Sequence, residues 1–262
     1  MASGPVVEAF GAEAERLSEM VSRADEAAFD WASPCPPWTI RELLCHVRIG
    51  VGRVPGMLGE PGPSPGPVIP AADYYRPDQR FSPVVNRDRI AAAQQAAAAL
   101  AAGSAGSAGS AGSAGSAGSA GSAGSAGSAG SAGSAGSAAA RDFDRAWRDA
   151  WTQIRRAPQA RLVHTRHGDR MLLTDFLRTR VLELAVHGLD LASGLGCRPW
   201  MTGAAAAVVE ELMLPATAAA RLLDESGWDH ATLIAKATGR LRLTSAETTL
   251  TERHGLRRLA LG

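Results

Sequence analysis

The segment TRVLELAVHGLDLASGLG, residues 179–196, decides the fold class and carries the first candidate site. Leu, Val and Ala residues occupy most directions around its helical wheel, which is typical of a buried helix. Arg180, Glu183, His187 and Asp190 nevertheless recur at spacings of three, four and three, which places them within an arc of about 80°. Such a polar strip either faces water or, if buried, is ion-paired, ligates a metal or faces a cavity.

Histidine and carboxylate side chains in this pattern suggest a metal site, although the pattern alone is a weak signal. Glu183 and His187 lie one helical turn apart and can chelate one ion. A third candidate ligand is His46 in LLCHV, at the border of the apolar face of its helix. Cys45 points about 100° away from His46, so the two do not readily share an ion. His167, in the turn-rich HTRH segment, is expected at most at the rim of a pocket.

Composition excludes several classes of protein. The chain has 262 residues, of which 45% are hydrophobic, and 27 basic residues balance 26 acidic ones to a net charge of +1. That balance provides no electrostatic footprint for nucleic acid or an anionic membrane. Three cysteines without a framework spacing, an acidic N-terminus and no apolar run near about 20 residues predict a soluble, cytoplasmic protein. We expect a monomer or homodimer.

Twelve perfect copies of Gly-Ser-Ala fill residues 103–138. The tract lacks the proline of collagen, and a period of three destroys the alternation of a silk-like strand. Glycine at every third position also makes a stable helix unfavourable. We therefore predict a flexible spacer with a root-mean-square span of about 33 Å. Both a natural repeat expansion and an engineered linker fit this pattern.

The rest of the chain has the periodicity and capping signals of helices. Apolar spacing predicts a first helix over residues 6–28, and the capping box TIRE, residues 39–42, begins a second helix that stops near Pro55. Next come a Pro-rich loop over 61–83, helices over 86–102 and 139–157, and a hairpin or loop over 161–173. A helix capped by Thr174 and ended by Gly194 and Gly196 follows. The chain is then helical to about residue 237, and the capping box TSAE, residues 244–247, begins a last helix. This order predicts an all-α antiparallel bundle.

Three segments together resemble a known family: CPPWTIRELLCHV (35–47), RHGDRMLLTDFLRTRVLELAVHGLDLA (166–192) and WDHATLIAKATGRLRL (228–243). They are similar to the mycothiol-dependent maleylpyruvate isomerase family of actinobacteria, within the DinB-like superfamily of four-helix metalloproteins. The resemblance implies a DinB-like antiparallel four-helix bundle formed by residues 1–102 and 139–200. The spacer, 103–138, interrupts this bundle, and residues 201–262 form a short, mainly helical C-terminal extension.

The resemblance also implies a set of site residues. A divalent metal ion, with zinc expected, is held by His46, Glu183 and His187. Three protein ligands leave an open coordination position, as in catalytic zinc sites. Arg180 and Asp190, one turn to either side, then support the ligands or face the substrate, and Arg240 is a candidate for binding the cofactor.

Mycothiol, a small cysteine-containing thiol, is the cofactor that the resemblance implies. Its thiolate adds to a small-molecule electrophile, either transiently in an isomerase or permanently in an S-transferase. Two alternatives stay open at this point. One is a metal-dependent hydrolase on the same scaffold, with metal-bound water as the nucleophile. The other is a non-catalytic helical binding protein in which the polar strip is structural or faces solvent.

Overall fold

A computed structural model describes residues 4–62, 65–76, 81–109, 135–215 and 217–259. Its helices are α1 (Pro5–Ser22), α2 (Ile40–Gly59), α3 (Ala71–Tyr74), α4 (Pro83–Gly109), α5 (Ala135–Ile154), α6 (Leu173–Gly194), α7 (Gly203–Met213), α8 (Ala218–Ser226), α9 (His230–Ala237) and α10 (Ser245–Arg253). A 3₁₀ helix spans Glu26–Asp30, and β1 (Leu162–His164) pairs antiparallel with β2 (Arg170–Leu172). The predicted all-α class is confirmed, as is the short hairpin.

Helices α1, α2, α5 and α6 enclose the main core. Helix α1 packs on α5 and α6, whereas α2 packs on α4, α5 and α6. Ser18 of α1 donates a hydrogen bond to Asp144 of α5 (2.8 Å), and Gly11 lies against the ring of Trp151, so these two helices run antiparallel. Large side chains from all four helices are fully buried between them: Phe10, Leu17, Leu43, Leu44, Phe143, Leu177 and Leu182.

Helix α6 is the most enclosed helix of the bundle, because α1, α2 and α7 pack around it. Three of the four charged residues of the strip are covered along with the apolar residues: Arg180 is 7% exposed, His187 5% and Asp190 2%. The side chain of Glu183 is 24% exposed and lines a cavity. The water-facing alternative for this strip is therefore wrong. Each of its charges must have a partner or face a cavity, because unpaired buried charge is very costly.

Local capping signals located some helix ends and missed others. Both predicted capping boxes form, with Thr39 and Glu42 at the start of α2 and Thr244 and Glu247 at the start of α10. The predicted cap by Thr174 is wrong, because α6 already begins at Leu173 and its start has no side-chain cap.

The predicted ends of the first two helices are also wrong. Helix α1 ends at Ser22, and the chain continues into the 3₁₀ helix. Helix α2 continues through Pro55 to Gly59. Arg161 donates to the carbonyl groups of Leu58 (2.8 Å) and Glu60 (2.9 Å), which satisfies backbone acceptors at the end of that helix.

The two ends of the Gly-Ser-Ala repeat belong to helices. Helix α4 continues to Gly109 and α5 begins at Ala135, so the prediction that the repeat avoids helix is wrong there. The backbone N–H groups of Gly136 and Ser137 donate to the carboxylate of Glu26, and Gly136 lies directly against the ring of Phe29. The repeat thus contacts the bundle at its C-terminal end. Residues 110–134 lie outside the described part, and a flexible spacer there stays a prediction.

The C-terminal extension packs on the bundle and is mainly helical over its described residues. Helix α7 contacts α1 and α6, and α9 contacts α6 and α7. A link between the extension and the bundle is the buried Glu13, whose carboxylate accepts from the backbone N–H of Thr202 (2.8 Å) just before α7. Within the described ranges, no single helix has the length and apolarity to cross a membrane, whereas α7 and α8 together, a bent pair, meet those two requirements.

Candidate metal centre

Three side chains from two helices converge beside the bundle core. His46 projects from α2, and Glu183 and His187 project from one face of α6. The Nε2 atoms of His46 and His187 lie 3.9 Å and 3.3 Å from Glu183 Oε2, and the two imidazole rings meet edge to face with centroids 5.1 Å apart. Zinc bonds of about 2.0–2.1 Å in a tetrahedral arrangement place donor atoms about 3.3 Å apart. The donor set therefore suits a divalent ion such as zinc.

The three side chains of this triad differ in protonation. Burial lowers the pKa of His46 to about 4, so its imidazole is neutral at pH 7. Burial raises the pKa of Glu183, but hydrogen bonds to His187 and His46 outweigh it and hold that pKa well below its ordinary value. Burial lowers the pKa of His187, but the contacts with Asp190, Cys35 and Glu183 outweigh it and raise that pKa well above its ordinary value. Without a metal, His187 carries the proton that balances Glu183.

Asp190 anchors the far side of the His187 ring. Its Oδ2 atom lies 3.0 Å from His187 Nδ1, and because a carboxylate only accepts, Nδ1 carries the hydrogen. This fixes the ring with Nε2 directed toward Glu183. Arg240, which follows α9, donates to both Asp190 oxygens (3.1 and 2.9 Å), and the thiol of Cys35 lies 3.1 Å from Oδ2. The C-terminal extension thereby contributes a guanidinium to the candidate centre.

Tyr75 and Arg180 flank Glu183 on the other side. Tyr75 donates to the backbone carbonyl of Thr179 (2.9 Å), and its hydroxyl lies 3.4 Å from Glu183 Oε1. The Arg180 Nη2 atom lies 4.0 Å from the same oxygen, and its guanidinium stacks 5.0 Å from the ring centroid of Phe176. Glu183 is therefore held between a phenol and a guanidinium while its other oxygen faces the histidines.

A cavity of about 220 Å³ opens in front of the triad. Its wall combines apolar side chains with an unusual number of cations. Five arginines line the cavity, whereas two carboxylates, those of Asp88 and Glu183, do so. The arginines are Arg53, Arg89, Arg166, Arg180 and Arg240. His167 also lines this cavity, as expected for a residue at its rim. A second, more open depression, lined by Cys35 and Trp38, shares Arg89 and Arg240 with it.

The sequence-derived site residues occupy one region, but several of their neighbours were missed. His46, Glu183, His187, Arg180, Asp190 and Arg240 all lie in or beside the cavity. Cys35 is half-buried, and its thiol contacts Asp190. Cys45 is buried, and burial raises the pKa of its thiol to about 11. Arg53 could have been found, because it follows His46 by two helical turns on the same face.

The remaining missed neighbours are Tyr75 and Trp38, which the sequence did not connect to the candidate centre. Tyr75 lies in the predicted Pro-rich loop, where the short helix α3 directs it inward. Trp38 stacks on the His46 ring with centroids 4.6 Å apart. Both contacts depend on how distant segments pack, so no local sequence pattern predicts them.

Comparison with known proteins gives one match. The family model described as the mycothiol maleylpyruvate isomerase N-terminal domain matches residues 10–134 and 91–192. These overlapping ranges cover more than half of the chain and include His46, Glu183 and His187, whereas Arg240 lies beyond them. No curated protein and no solved structure matches the chain.

Proposed function

Because the chain belongs to the family of the mycothiol maleylpyruvate isomerase N-terminal domain, we propose that it is a metal-dependent enzyme that uses mycothiol. The reaction class is addition of the thiol to a small electrophile, in an isomerase or an S-transferase. The observation that carries this proposal is the His46–Glu183–His187 donor set facing a cationic cavity. Three protein donors that line a cavity suit a catalytic zinc site better than a structural one, which normally has four protein ligands.

The protein supports a metal at these residues through its own charges. Glu183 is ionised and His46 is neutral at pH 7, so two of the three donors are ready to bind, and His187 needs only to lose one proton. A bound divalent ion would act as a Lewis acid that keeps a thiol deprotonated near neutral pH. Zinc is the proposed metal because it accepts imidazole and carboxylate donors together.

Neighbouring residues would orient the ligands and the reactants. Asp190 holds the His187 ring through Nδ1, and Tyr75 restrains the backbone and carboxylate at Glu183. Arg180 and Arg240 place positive charge at two sides of the cavity. These guanidiniums suit polar groups of the thiol or an anionic group that develops on the electrophile. Both reaction types need this arrangement, so the site does not distinguish an isomerase from an S-transferase.

Metal content is the first test. We expect about one zinc ion per chain by inductively coupled plasma mass spectrometry after reconstitution and desalting. The variants His46→Ala, Glu183→Ala and His187→Ala should each lose it. His230→Ala is the matched control, because this histidine is exposed and pairs with Glu210 far from the triad in sequence. Full zinc occupancy in the triple variant would eliminate the site.

Thiol dependence is the second test. The zinc-loaded protein is incubated with a panel of electrophiles, with and without mycothiol, and products are identified by mass spectrometry. The proposal requires conversion that depends on both the thiol and the three ligands. Conversion that ignores mycothiol would identify a hydrolase instead. A protein that binds no metal and converts nothing would refute the proposal and favour a non-catalytic helical protein.

A further inference from the structure

The imidazole ring of His187 meets a second set of donor atoms on its other edge. Its Nε2 atom faces Glu183, whereas its Nδ1 atom lies 3.0 Å from Asp190 Oδ2. The thiol of Cys35 lies 3.1 Å from the same carboxylate oxygen. One donor atom from each of Cys35, His187 and Asp190 lies within 4.8 Å of the other two. This second donor set shares only His187 with the triad.

The spacing and chemistry of these three donors suit one metal ion. Zinc binds thiolate sulfur at about 2.3 Å and histidine nitrogen or carboxylate oxygen at about 2.0–2.2 Å. In a tetrahedral arrangement such bonds place neighbouring donor atoms about 3.3–3.6 Å apart. The donors of the second set need to move outward by only about 0.3–0.5 Å to reach this spacing. A thiolate also favours zinc and softer ions over Mg²⁺ and Ca²⁺.

The loop before α2 holds Cys35 in place through its backbone. The Cys35 N–H donates to Ser33 Oγ (3.2 Å), and the Cys35 carbonyl accepts from the N–H of Trp38 (3.1 Å). The N–H of Ser33 in turn donates to the carbonyl of Trp38 (2.9 Å). Because these bonds already order the loop, an ion that binds the thiol has little ordering cost to meet.

The second donor set reaches the surface at a different place from the triad. Cys35 and Asp190 line the depression of about 480 Å³ beside Trp38, and neither lines the cavity in front of the triad. The depression has room for an ion and for a water molecule as its fourth ligand. An ion can therefore reach Cys35 and Asp190 without passing the triad.

Arg240 competes with a metal ion for Asp190. Its guanidinium donates to both carboxylate oxygens, at 3.1 and 2.9 Å. An ion on Oδ2 has to displace a hydrogen bond of Arg240, and it also releases the thiol proton of Cys35 and the Nδ1 proton of His187 to water. These costs make the second donor set a weaker metal site than the triad.

We propose that Cys35, Asp190 and the Nδ1 atom of His187 bind a second divalent ion, so that the His187 ring bridges two metal ions. The ligand is zinc or another divalent ion that accepts a thiolate, and desalting removes it before the ion of the triad. One negative charge each on Cys35, Asp190, Glu183 and the bridging imidazolate offsets the charge of the two divalent ions. The site goes beyond the proposed function, since it requires neither mycothiol nor an electrophile.

Titration of the metal-free protein with Co²⁺ tests the second site without any turnover. A thiolate on Co²⁺ gives a charge-transfer absorption in the near ultraviolet, which imidazole and carboxylate ligands do not give. We expect about two Co²⁺ ions per chain at saturation, with the thiolate absorption on the weaker one. Cys35→Ser should keep one ion and lose the absorption. Cys197→Ser is the matched control, because Cys197 is exposed and its thiol contacts the Leu195 carbonyl instead.

Arg240→Gln tests the competition for Asp190. Loss of the guanidinium should strengthen the weaker Co²⁺ site about tenfold, because the ion no longer displaces a charge-assisted hydrogen bond. Weaker Co²⁺ binding in the folded variant, as checked by circular dichroism, would refute the site. Alkylation with iodoacetamide gives a measurement without any substitution. Saturating Co²⁺ should protect Cys35 but not Cys197 in peptide mass spectra, and equal labelling of Cys35 with and without the ion would also refute it.

The remaining outcomes separate the second site from the proposed function. A single Co²⁺ ion per chain in the wild type, or a thiolate absorption that survives Cys35→Ser, would eliminate the second site and leave the triad intact. His46→Ala should lose the ion of the triad and keep the thiolate absorption. If His46→Ala and Glu183→Ala leave the metal content unchanged while Cys35→Ser abolishes the absorption, the triad fails and the second site stands.

Discussion

Replacing Asp190 by Asn tests whether one carboxylate supports both the stability of the fold and the candidate metal centre. Asp190 is 2% exposed and accepts two hydrogen bonds from Arg240, whose side chain is 21% exposed. It also accepts from His187 Nδ1 at 3.0 Å. Asn keeps the shape of the side chain but removes its charge, so both partners lose their anion at once.

The expected cost follows from this burial. Removing one partner of a buried ion pair costs about 3–5 kcal/mol, because the other charge is left without compensation. Since water reaches about a fifth of Arg240, we expect a smaller loss of about 2–4 kcal/mol in the free energy of unfolding at pH 7. The His187 ring also loses the acceptor that orients it, so zinc affinity should fall about 10- to 100-fold.

The effect should depend on pH in one direction. Burial raises the pKa of Asp190, but the contacts with His187 and Arg240 outweigh it and hold that pKa below its ordinary value. A carboxylate with a lowered pKa stabilises the fold above the pKa of the unfolded chain, about 3.9, and this stabilisation is lost as the pH falls. The difference between wild type and Asp190→Asn should therefore be full at pH 7 and shrink below about pH 4.

Urea denaturation of the metal-free protein, followed by circular dichroism at 222 nm, measures the stability, and competition with a chromophoric chelator measures zinc affinity. Asp149→Asn is the control, because Asp149 is exposed and contacts only Gln153 of its own helix among the described hydrogen bonds. The double variant Asp190→Asn/Arg240→Gln should recover part of the loss, because it removes the uncompensated cation. A loss below about 1 kcal/mol together with unchanged zinc affinity would refute the reasoning.

Three further predictions follow from individual contacts. Because His187 has a raised pKa, zinc binding at pH 7 should release about one proton and should strengthen as the pH rises. Calorimetry in buffers of different ionisation enthalpy measures the proton release, and no release would show that the His187 ring is neutral in the metal-free protein. Tyr75→Phe should cost about 1 kcal/mol in urea denaturation and weaken zinc binding at Glu183 up to about tenfold; unchanged values for both would remove Tyr75 from the site. Gly136→Ala should lower the melting temperature, because the added Cβ atom would clash with the ring of Phe29. Gly103→Ala is the control and should not lower it, because a Cβ atom there meets open space. Equal effects of the two substitutions would contradict the packing of the repeat.

Helix content and the two helix starts that carry a capping box were predictable, because they depend on neighbours in sequence. The boxes at Thr39 and Thr244 form as predicted, since each needs only the residue three positions later. The one-sided spacing of Glu183 and His187 follows from helical periodicity alone. The end of α2 was mispredicted, because the helix continues past Pro55 to a point where Arg161, about a hundred residues away, satisfies terminal carbonyl groups.

For the candidate metal centre, too, the local features were predictable from the sequence and the tertiary contacts were not. The sequence determined that α6 is apolar on nearly every side and that its charged residues share one strip, because both properties are local. Family resemblance, and not spacing, supplied His46. Only the tertiary structure decided that the strip is buried, that Asp190 meets Arg240 and Cys35, and that Arg53 and Arg166 face the same cavity. Those meetings depend on the register between packed helices, which is set by how all their core side chains fit together.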